Sequence, residues 1–185
     1  MGYKIKLLGV SQMTGRGLEQ RMQPCLVPDR SPLGQLAGGT NMIVLEGDAI
    51  GQVVLRGPGA GVGPTASAVL SDICDIARGW HGPVFGRKAT TLASATSALS
   101  QRPAAFYLRM GLLDKPGALA KIATVLGEAG ISIDRMRQTE HRSDLAPVLI
   151  VTHKTSRSAL DEALEAMTRT GVLATDPVAL RIEDL

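Results

Sequence analysis

The spacing of apolar residues in the second half of the chain predicts a complete fold. Apolar residues occupy alternate positions or short runs over residues 106–112, 131–136, 147–152 and 178–182, which indicates four strands. They recur at helical spacing over residues 119–129 and 160–167, which indicates two helices. The resulting βαββαβ order predicts a ferredoxin-like α+β unit, in which two helices cover one face of a four-stranded antiparallel sheet.

Local signals mark the ends of these two helices. Lys115-Pro116-Gly117 precedes the first helix and Gly130 follows it, as is typical of helix starts and stops. Ser158 and Asp161 form a capping-box pattern that predicts the start of the second helix, and Gly171 ends it.

The first half of the chain predicts a partial mixed sheet with helices. Alternation over residues 3–10 indicates a half-buried strand, and short apolar runs indicate strands at 25–27, 42–45 and 50–55, the last two forming a hairpin. Ser31-Pro32-Leu33 predicts a short helix. A longer helix follows residue 65 with one apolar face, made of Ala66, Val69, Leu70, Ile73, Ile76 and Ala77.

Between the two halves, residues 79–103 are rich in small and polar side chains and show no clear period, which is typical of a linker. We therefore expect three segments: a first domain over 1–78, a linker over 79–103 and the ferredoxin-like domain over 104–185.

Composition narrows the classes of partner and compartment. The 20 basic residues are interleaved with 17 acidic ones and aromatics make up 3% of the chain, which argues against a nucleic-acid groove. No apolar run reaches the length of a membrane span. Cys25 and Cys74 lie in apolar patterns, so we expect buried thiols in a reducing compartment. We expect a soluble, cytoplasmic protein.

Glycine occupies every second position from Gly57 to Gly63, between a predicted strand and a predicted helix. Such a loop exposes backbone amides at a helix start and lets a ligand approach closely. The spacing fits neither the dinucleotide fingerprint nor the P-loop, because Val62 and Pro64 stand where glycine or lysine is required. A tight structural turn and a ligand contact both remain open for this loop.

The two halves together resemble the C-terminal portion of one family, the homoserine dehydrogenases. The first half, residues 1–78, is similar to the C-terminal part of that family's substrate and dimerisation domain, in the strings Val27-Pro28, Ser31-Pro32-Leu33, Gly39-Thr40-Asn41, Leu55-Arg56-Gly57-Pro58-Gly59-Ala60-Gly61 and Thr65-Ala66-Ser67-Ala68-Val69. The second half resembles an ACT domain, the amino-acid-sensing module, in the strings Asp114-Lys115-Pro116-Gly117-Ala118-Leu119 and Ile131-Ser132-Ile133.

The resemblance implies a role in an enzyme. Homoserine dehydrogenases interconvert L-aspartate 4-semialdehyde and L-homoserine with NADP or NAD, on the route to threonine and methionine. The family's nucleotide-binding domain and catalytic lysine have no counterpart in these 185 residues, so the chain by itself is expected to be inactive and to carry no catalytic residue. In the family, one loop glycine touches the cofactor, and it falls on Gly61.

The ACT resemblance implies an effector site and an oligomer. Asp114, Gly117, Ala118, Leu119 and Ile133 are the implied effector contacts, with threonine as an example of a ligand and Ile133 supplied by a neighbouring subunit. At least a dimer is expected, with no nucleic acid, membrane or metal partner. The alternative interpretation is a free-standing ACT-type module that binds an amino acid or serves in assembly only.

A hydrolase is a further alternative, but the sequence gives it little support. His81, His141 and His153 are scattered, and no nucleophile-elbow motif is present. Solvated or packed histidines account better for all three.

Overall fold

The computed structural model describes residues 1–83, 85–99, 102–138 and 145–184. Within them the chain forms two compact units. Unit 1 comprises Met1–Ser31 and Ser97–Leu185, and unit 2 comprises Pro32–Thr96.

The ferredoxin-like arrangement predicted for the second half is confirmed in unit 1. In chain order its elements are β6 (Phe106–Leu113), α3 (Ala118–Glu128), β7 (Ile133–Gln138), β8 (Leu145–Thr152), α4 (Arg157–Arg169) and β9 (Leu173–Ile182). The four strands pair in the order β9-β6-β8-β7, and every pair is antiparallel.

The core of this arrangement follows from the alternation in its strands. Leu108 and Ile150 face each other across β6 and β8 and are fully buried beneath the helices. Ile122 of α3 and Leu160 of α4 are also fully buried in the same cluster. Burying aliphatic side chains of this size contributes about 1.5–3 kcal/mol each, so this cluster is the main source of stability for the fold.

The start of α4 differs from the sequence prediction. The N-cap is Ser156, whose side-chain oxygen accepts a hydrogen bond from the Ala159 amide at 3.1 Å, so the predicted cap at Ser158 is wrong. Asp161 instead pairs with Arg157, at 2.8 Å and one helical turn away. Serine is a favourable N-cap residue at either position, and starting the helix at the earlier serine places Arg157 and Asp161 one turn apart within it.

An unpredicted feature of unit 1 is that the N-terminal hairpin extends the same sheet. The strands β1 (Tyr3–Thr14) and β2 (Gly17–Pro28) pair along their whole length. β2 then pairs in parallel with β9 at Cys25↔Arg181 and Leu26↔Ile182. The short strand β5 (Ser97–Ala98) adds to β2 at Leu18 and Glu19. The compact units of the structure therefore end at different residues from the predicted domains. The predicted boundaries at 78 and 104 rest on sequence patterns and stay a prediction.

A buried ionic cluster fixes the junction between the hairpin and β9. One carboxylate oxygen of Glu183 accepts hydrogen bonds from Arg21 and from Arg181, each at 2.7 Å. The side chain of Glu183 is 9% exposed, and those of Arg21 and Arg181 are 14% and 10% exposed. Cys25 is buried beside them. Burial raises the pKa of its thiol and the Glu183 carboxylate raises it further, which keeps the thiol neutral.

Unit 2 contains a second hairpin and two helices. Its elements are α1 (Pro32–Gln35), β3 (Thr40–Gly47), β4 (Gly51–Pro58), α2 (Val62–Ala77) and a single 3-10 turn (Ala89–Thr91). The predicted pairing of β3 with β4 is confirmed along their whole length. No residue of α2 is buried, so the expectation of a buried Cys74 is wrong: this thiol is exposed.

The strand predicted over residues 3–10 is present, but its expected burial is only partly observed. Ile5 and Leu7 are 63% and 64% exposed, whereas Leu8 on the other face is 8% exposed. Alternation reports which residues share a face, and it does not say whether another layer covers that face.

Candidate functional site

The alternating glycines between β4 and α2 serve different structural needs. A Cβ at Gly59 would collide with the side chain of Asn41, so this glycine allows the loop to pack against β3. Gly61 has a φ of 120°, a conformation that side-chain-bearing residues rarely adopt. Its own Cβ would meet only Pro64 Cδ, at 3.6 Å, and otherwise would point into open space. The loop therefore requires glycine for its turn and leaves an open surface at Gly61.

The first turn of α2 adds backbone donors next to that open surface. The first helical hydrogen bond runs from the Thr65 amide to the Gly61 carbonyl at 3.2 Å, and no side chain caps the helix. The amides of Val62 and Gly63 thus precede the helical ladder, while Pro64 has no N–H to offer. The loop therefore presents backbone donors beside the open side of Gly61.

The junction between β6 and α3 is a tight strand-to-helix turn. Gly117 is the N-cap with a left-handed φ of 82° and no side-chain cap. Ala118 is buried and its amide donates to the Lys115 carbonyl at 3.1 Å, so the turn itself uses this donor. Leu119 is half-buried and Asp114 is exposed. Four of the five predicted effector residues therefore lie within the six-residue segment Asp114–Leu119 at this junction.

The fifth predicted effector residue, Ile133, lies at the other end of the sheet. Leu113, just before the junction, pairs with Leu145 of β8, whereas Ile133 pairs with Thr152 of β8. At about 3.4 Å per residue, positions 145 and 152 of one strand are about 24 Å apart. One chain does not bring Ile133 to the Asp114–Leu119 segment, so a site built from both requires a second subunit.

Two of the three histidines lie at the surface. His81 and His153 are exposed, while His141 lies outside the described residues. Among the residues that the structure describes, no three His, Cys, Asp or Glu side chains are grouped in a way that could hold a metal ion. No helix in the described ranges is long and apolar enough to cross a membrane.

The cluster of Arg21, Arg181 and Glu183 is the feature that the sequence did not predict. Arg21 and Glu183 are 162 positions apart, and neither belongs to a motif. A buried charge triad of this kind has no periodic signal, because only the pairing of β2 with β9 brings its members together.

The four-stranded sheet, its two covering helices and the glycine-started α3 form the βαββαβ arrangement of an ACT-type domain. Residues 106–172 match the family profile of the ACT domain, and residues 1–74 match that of homoserine dehydrogenase. The chain therefore carries a homoserine dehydrogenase segment followed by an ACT domain.

Individual relatives agree with this assignment. The homoserine dehydrogenase of Pseudomonas aeruginosa is 35% identical over 195 residues, covering 100% of this chain and 45% of its own length. The homoserine dehydrogenase of Neisseria gonorrhoeae is 33% identical over 193 residues, and this chain covers 44% of its length. The crystal structure of a homoserine dehydrogenase from Thiobacillus denitrificans matches 99% of the chain and 43% of that protein, with a TM-score of 0.83 and 32% identity. The chain thus spans less than half the length of these relatives.

Proposed function

We propose that this chain is the substrate-domain and regulatory part of a homoserine dehydrogenase, which interconverts L-aspartate 4-semialdehyde and L-homoserine. The observation that carries the proposal is the similarity to homoserine dehydrogenases over the whole chain, together with a homoserine dehydrogenase profile match that is followed by an ACT profile match. The nicotinamide of NADP or NAD would accept or supply the hydride. Gly61 would face that cofactor from the α2 side, because its open surface and its neighbouring amides leave room for close approach.

The 185-residue chain alone is expected to show no turnover with L-aspartate 4-semialdehyde and NADPH or NADH. The loop at Gly61 would supply only one wall of a cofactor site, and hydride transfer needs both the nicotinamide and the substrate to be held in place. The absorbance of the reduced nicotinamide cofactor, followed over time, measures this directly.

The same assay tests the proposal when a polypeptide with the unmatched part of a relative is added. Adding a polypeptide with the part of the Pseudomonas aeruginosa enzyme that this chain does not match is expected to restore turnover. Activity of the chain alone would contradict the proposal that it supplies only part of the active site. Absence of turnover in an assembled mixture would instead favour a free-standing amino-acid-binding module.

We further propose that the ACT domain binds an amino-acid effector such as threonine at Asp114–Leu119. The α3 helix begins there, and its dipole favours a carboxylate by about 0.3–1 kcal/mol at an exposed site. Gly117 leaves space against the backbone, since a Cβ there would meet nothing within 4 Å. The carboxylate of Asp114 would receive the effector's ammonium group.

The strand register supports at least a dimer in this role. β7 is an edge of the sheet, with its outer backbone groups open to another strand. Two copies paired antiparallel through β7 would place Ile133 of the partner subunit beside Gln138 of the first chain. Gln138 pairs with Val148, near the end of β8 at which Leu113 and the Asp114–Leu119 segment lie. Such a pairing would complete the effector site.

Replacing Asp114 with alanine is expected to abolish effector binding, because the ammonium group would lose its charged partner. Isothermal titration of the chain with threonine, isoleucine and methionine measures the effect. Asp48→Ala is a matched control, since Asp48 lies in the exposed turn between β3 and β4 in unit 2. Binding that survives in Asp114→Ala would refute this site, and no heat at millimolar amino acid would leave the domain a role in assembly only.

A further inference from the structure

Strand β9 extends from the proposed effector segment to the N-terminal hairpin. At its start, the Leu113 amide donates to the Val172 carbonyl at 2.9 Å, directly before Asp114. Near its end, Ile182 pairs with Leu26 of β2. Positions 173 and 182 of one strand are about 30 Å apart, at about 3.4 Å per residue. All of these residues belong to unit 1, so the connection lies inside one compact unit.

The contact between β9 and the hairpin is short and contains buried charges. Its ladder consists of two residue pairs, whereas β1 and β2 pair along their whole length. The Glu183 amide extends the contact by donating to the Leu26 carbonyl at 2.8 Å. The Glu183 carboxylate bridges Arg21 of β2 and Arg181 of β9. We call this contact the latch, and its members are Arg21, Cys25, Leu26, Arg181, Ile182 and Glu183.

A latch of this composition is specific in register without being strongly stabilised. The attraction between buried charges is largely offset by the cost of removing them from water. Their best-attested use is to fix one register of packing, because a shifted register leaves a buried charge unpaired. A small free-energy change elsewhere in unit 1 is therefore sufficient to shift the balance between a closed and an open latch.

The pairing of β9 with β6 is regular near the latch and irregular near the effector segment. Residues 106–109 pair continuously with residues 178–181, and the register then shifts on both sides of Gly111. There the Gly111 amide donates to the side-chain oxygen of Thr175 at 3.0 Å. A bulged strand end has fewer regular ladder bonds, so it follows a movement of the adjoining turn more easily than the regular part does.

We propose that β9 couples the Asp114–Leu119 segment to the hairpin through the latch. The hairpin lies within the homoserine dehydrogenase match, so the coupling joins the two segments of the chain. Effector binding fixes the start of β9 and favours the closed latch. By linkage, opening the latch weakens effector binding by the same factor. The inference rests on the proposed function for the effector, and it goes beyond that function by naming Glu183 as a positioning residue that touches no ligand.

The connection is tested first without a ligand. Glu183→Gln keeps the size of the side chain and removes its charge, which opens the latch. Hydrogen exchange of the Leu113 amide, at the other end of β9, is expected to accelerate at least about fivefold more than exchange of the His153 amide. The His153 amide donates to the Ser132 carbonyl at 2.9 Å, on the β7–β8 side of the sheet, and serves as the internal reference for global unfolding.

The second measurement is isothermal titration with threonine, isoleucine and methionine. Glu183→Gln is expected to bind the effector at least about fivefold more weakly than the unchanged chain. Leu8→Ala is the matched control, because Leu8 is 8% exposed on β1 and pairs with Gln23, so its loss weakens the hairpin without removing a member of the latch. Its effector affinity is expected to equal that of the unchanged chain.

Circular dichroism checks that each variant is folded. If Glu183→Gln does not fold, Arg21→Met takes its place with the same expected results, because it opens the β2 side of the latch while Glu183 keeps its bond to Arg181.

The outcomes separate the coupling from the effector site. Equal acceleration of the Leu113 and His153 amides in Glu183→Gln would overturn the coupling. So would unchanged effector affinity in Glu183→Gln, or an equal loss of affinity in Leu8→Ala, since loss of stability alone would then explain the result. If none of the amino acids binds the unchanged chain but the Leu113 amide responds to Glu183→Gln, the proposed effector is refuted and the connection along β9 stands.

Discussion

Replacing Glu183 with alanine is expected to lower the free energy of unfolding of the chain by about 3–5 kcal/mol. The substitution would remove the one carboxylate that binds both Arg21 and Arg181, each at 2.7 Å, and would leave two largely buried guanidinium groups without it. Removing one member of a buried charge group costs more than the group contributes, because the remaining charges keep their desolvation penalty. Urea denaturation followed by circular dichroism measures the change.

Glu162→Ala provides the matched control for this prediction. Glu162 is an exposed residue of α4, and replacing it is expected to change the stability by no more than about 0.5 kcal/mol. Hydrogen exchange adds spatial information: in Glu183→Ala, the amides of β2 should lose protection before those of β6 and β8. Equal stability of the two variants would mean that the strand pairing at Cys25↔Arg181 and Leu26↔Ile182 holds the hairpin without the charges.

Replacing Gly61 with valine is expected to abolish cofactor use in a dehydrogenase assembled from this chain and the part of the Pseudomonas aeruginosa enzyme that it does not match. The ACT domain is expected to stay folded. Gly61 has a φ of 120°, which valine adopts only with strain, and its open side is where the cofactor would approach. Titration of the assembled protein with NADPH and NADH, followed by cofactor fluorescence, measures the affinity. The thermal transition of the ACT domain should be unchanged.

Gly57→Val tests whether the effect is specific to Gly61. Gly57 lies in β4, its φ is not positive, and a Cβ there would meet nothing within 4 Å. Valine is well suited to a strand, so this variant should keep its cofactor affinity. Unchanged affinity in Gly61→Val would make Gly61 an ordinary turn glycine, and equal losses in both variants would indicate general damage to the loop.

The candidate site was predictable from sequence only in its local parts. The Asp114–Leu119 junction and the loop before α2 carry glycines at a strand-to-helix turn, and both are found as such. The distance between Leu113 and Ile133 along β8 was not predictable, because it depends on the strand order β6-β8-β7. That order is the physical reason why a site using Ile133 needs a second subunit.

The sequence by itself determined the elements of this protein and which residues share a face. Alternation in β6 and helical spacing in α3 are local properties of the backbone geometry, so they indicated Leu108 and Ile122 as inward-facing. Only the tertiary structure decided what each face meets. The same kind of pattern buries Leu160 in α4 and leaves Ile73 in α2 exposed, because burial requires an opposing layer. Likewise, the hairpin joined the ACT sheet through pairings between residues more than 150 positions apart, for which the sequence carries no local signal.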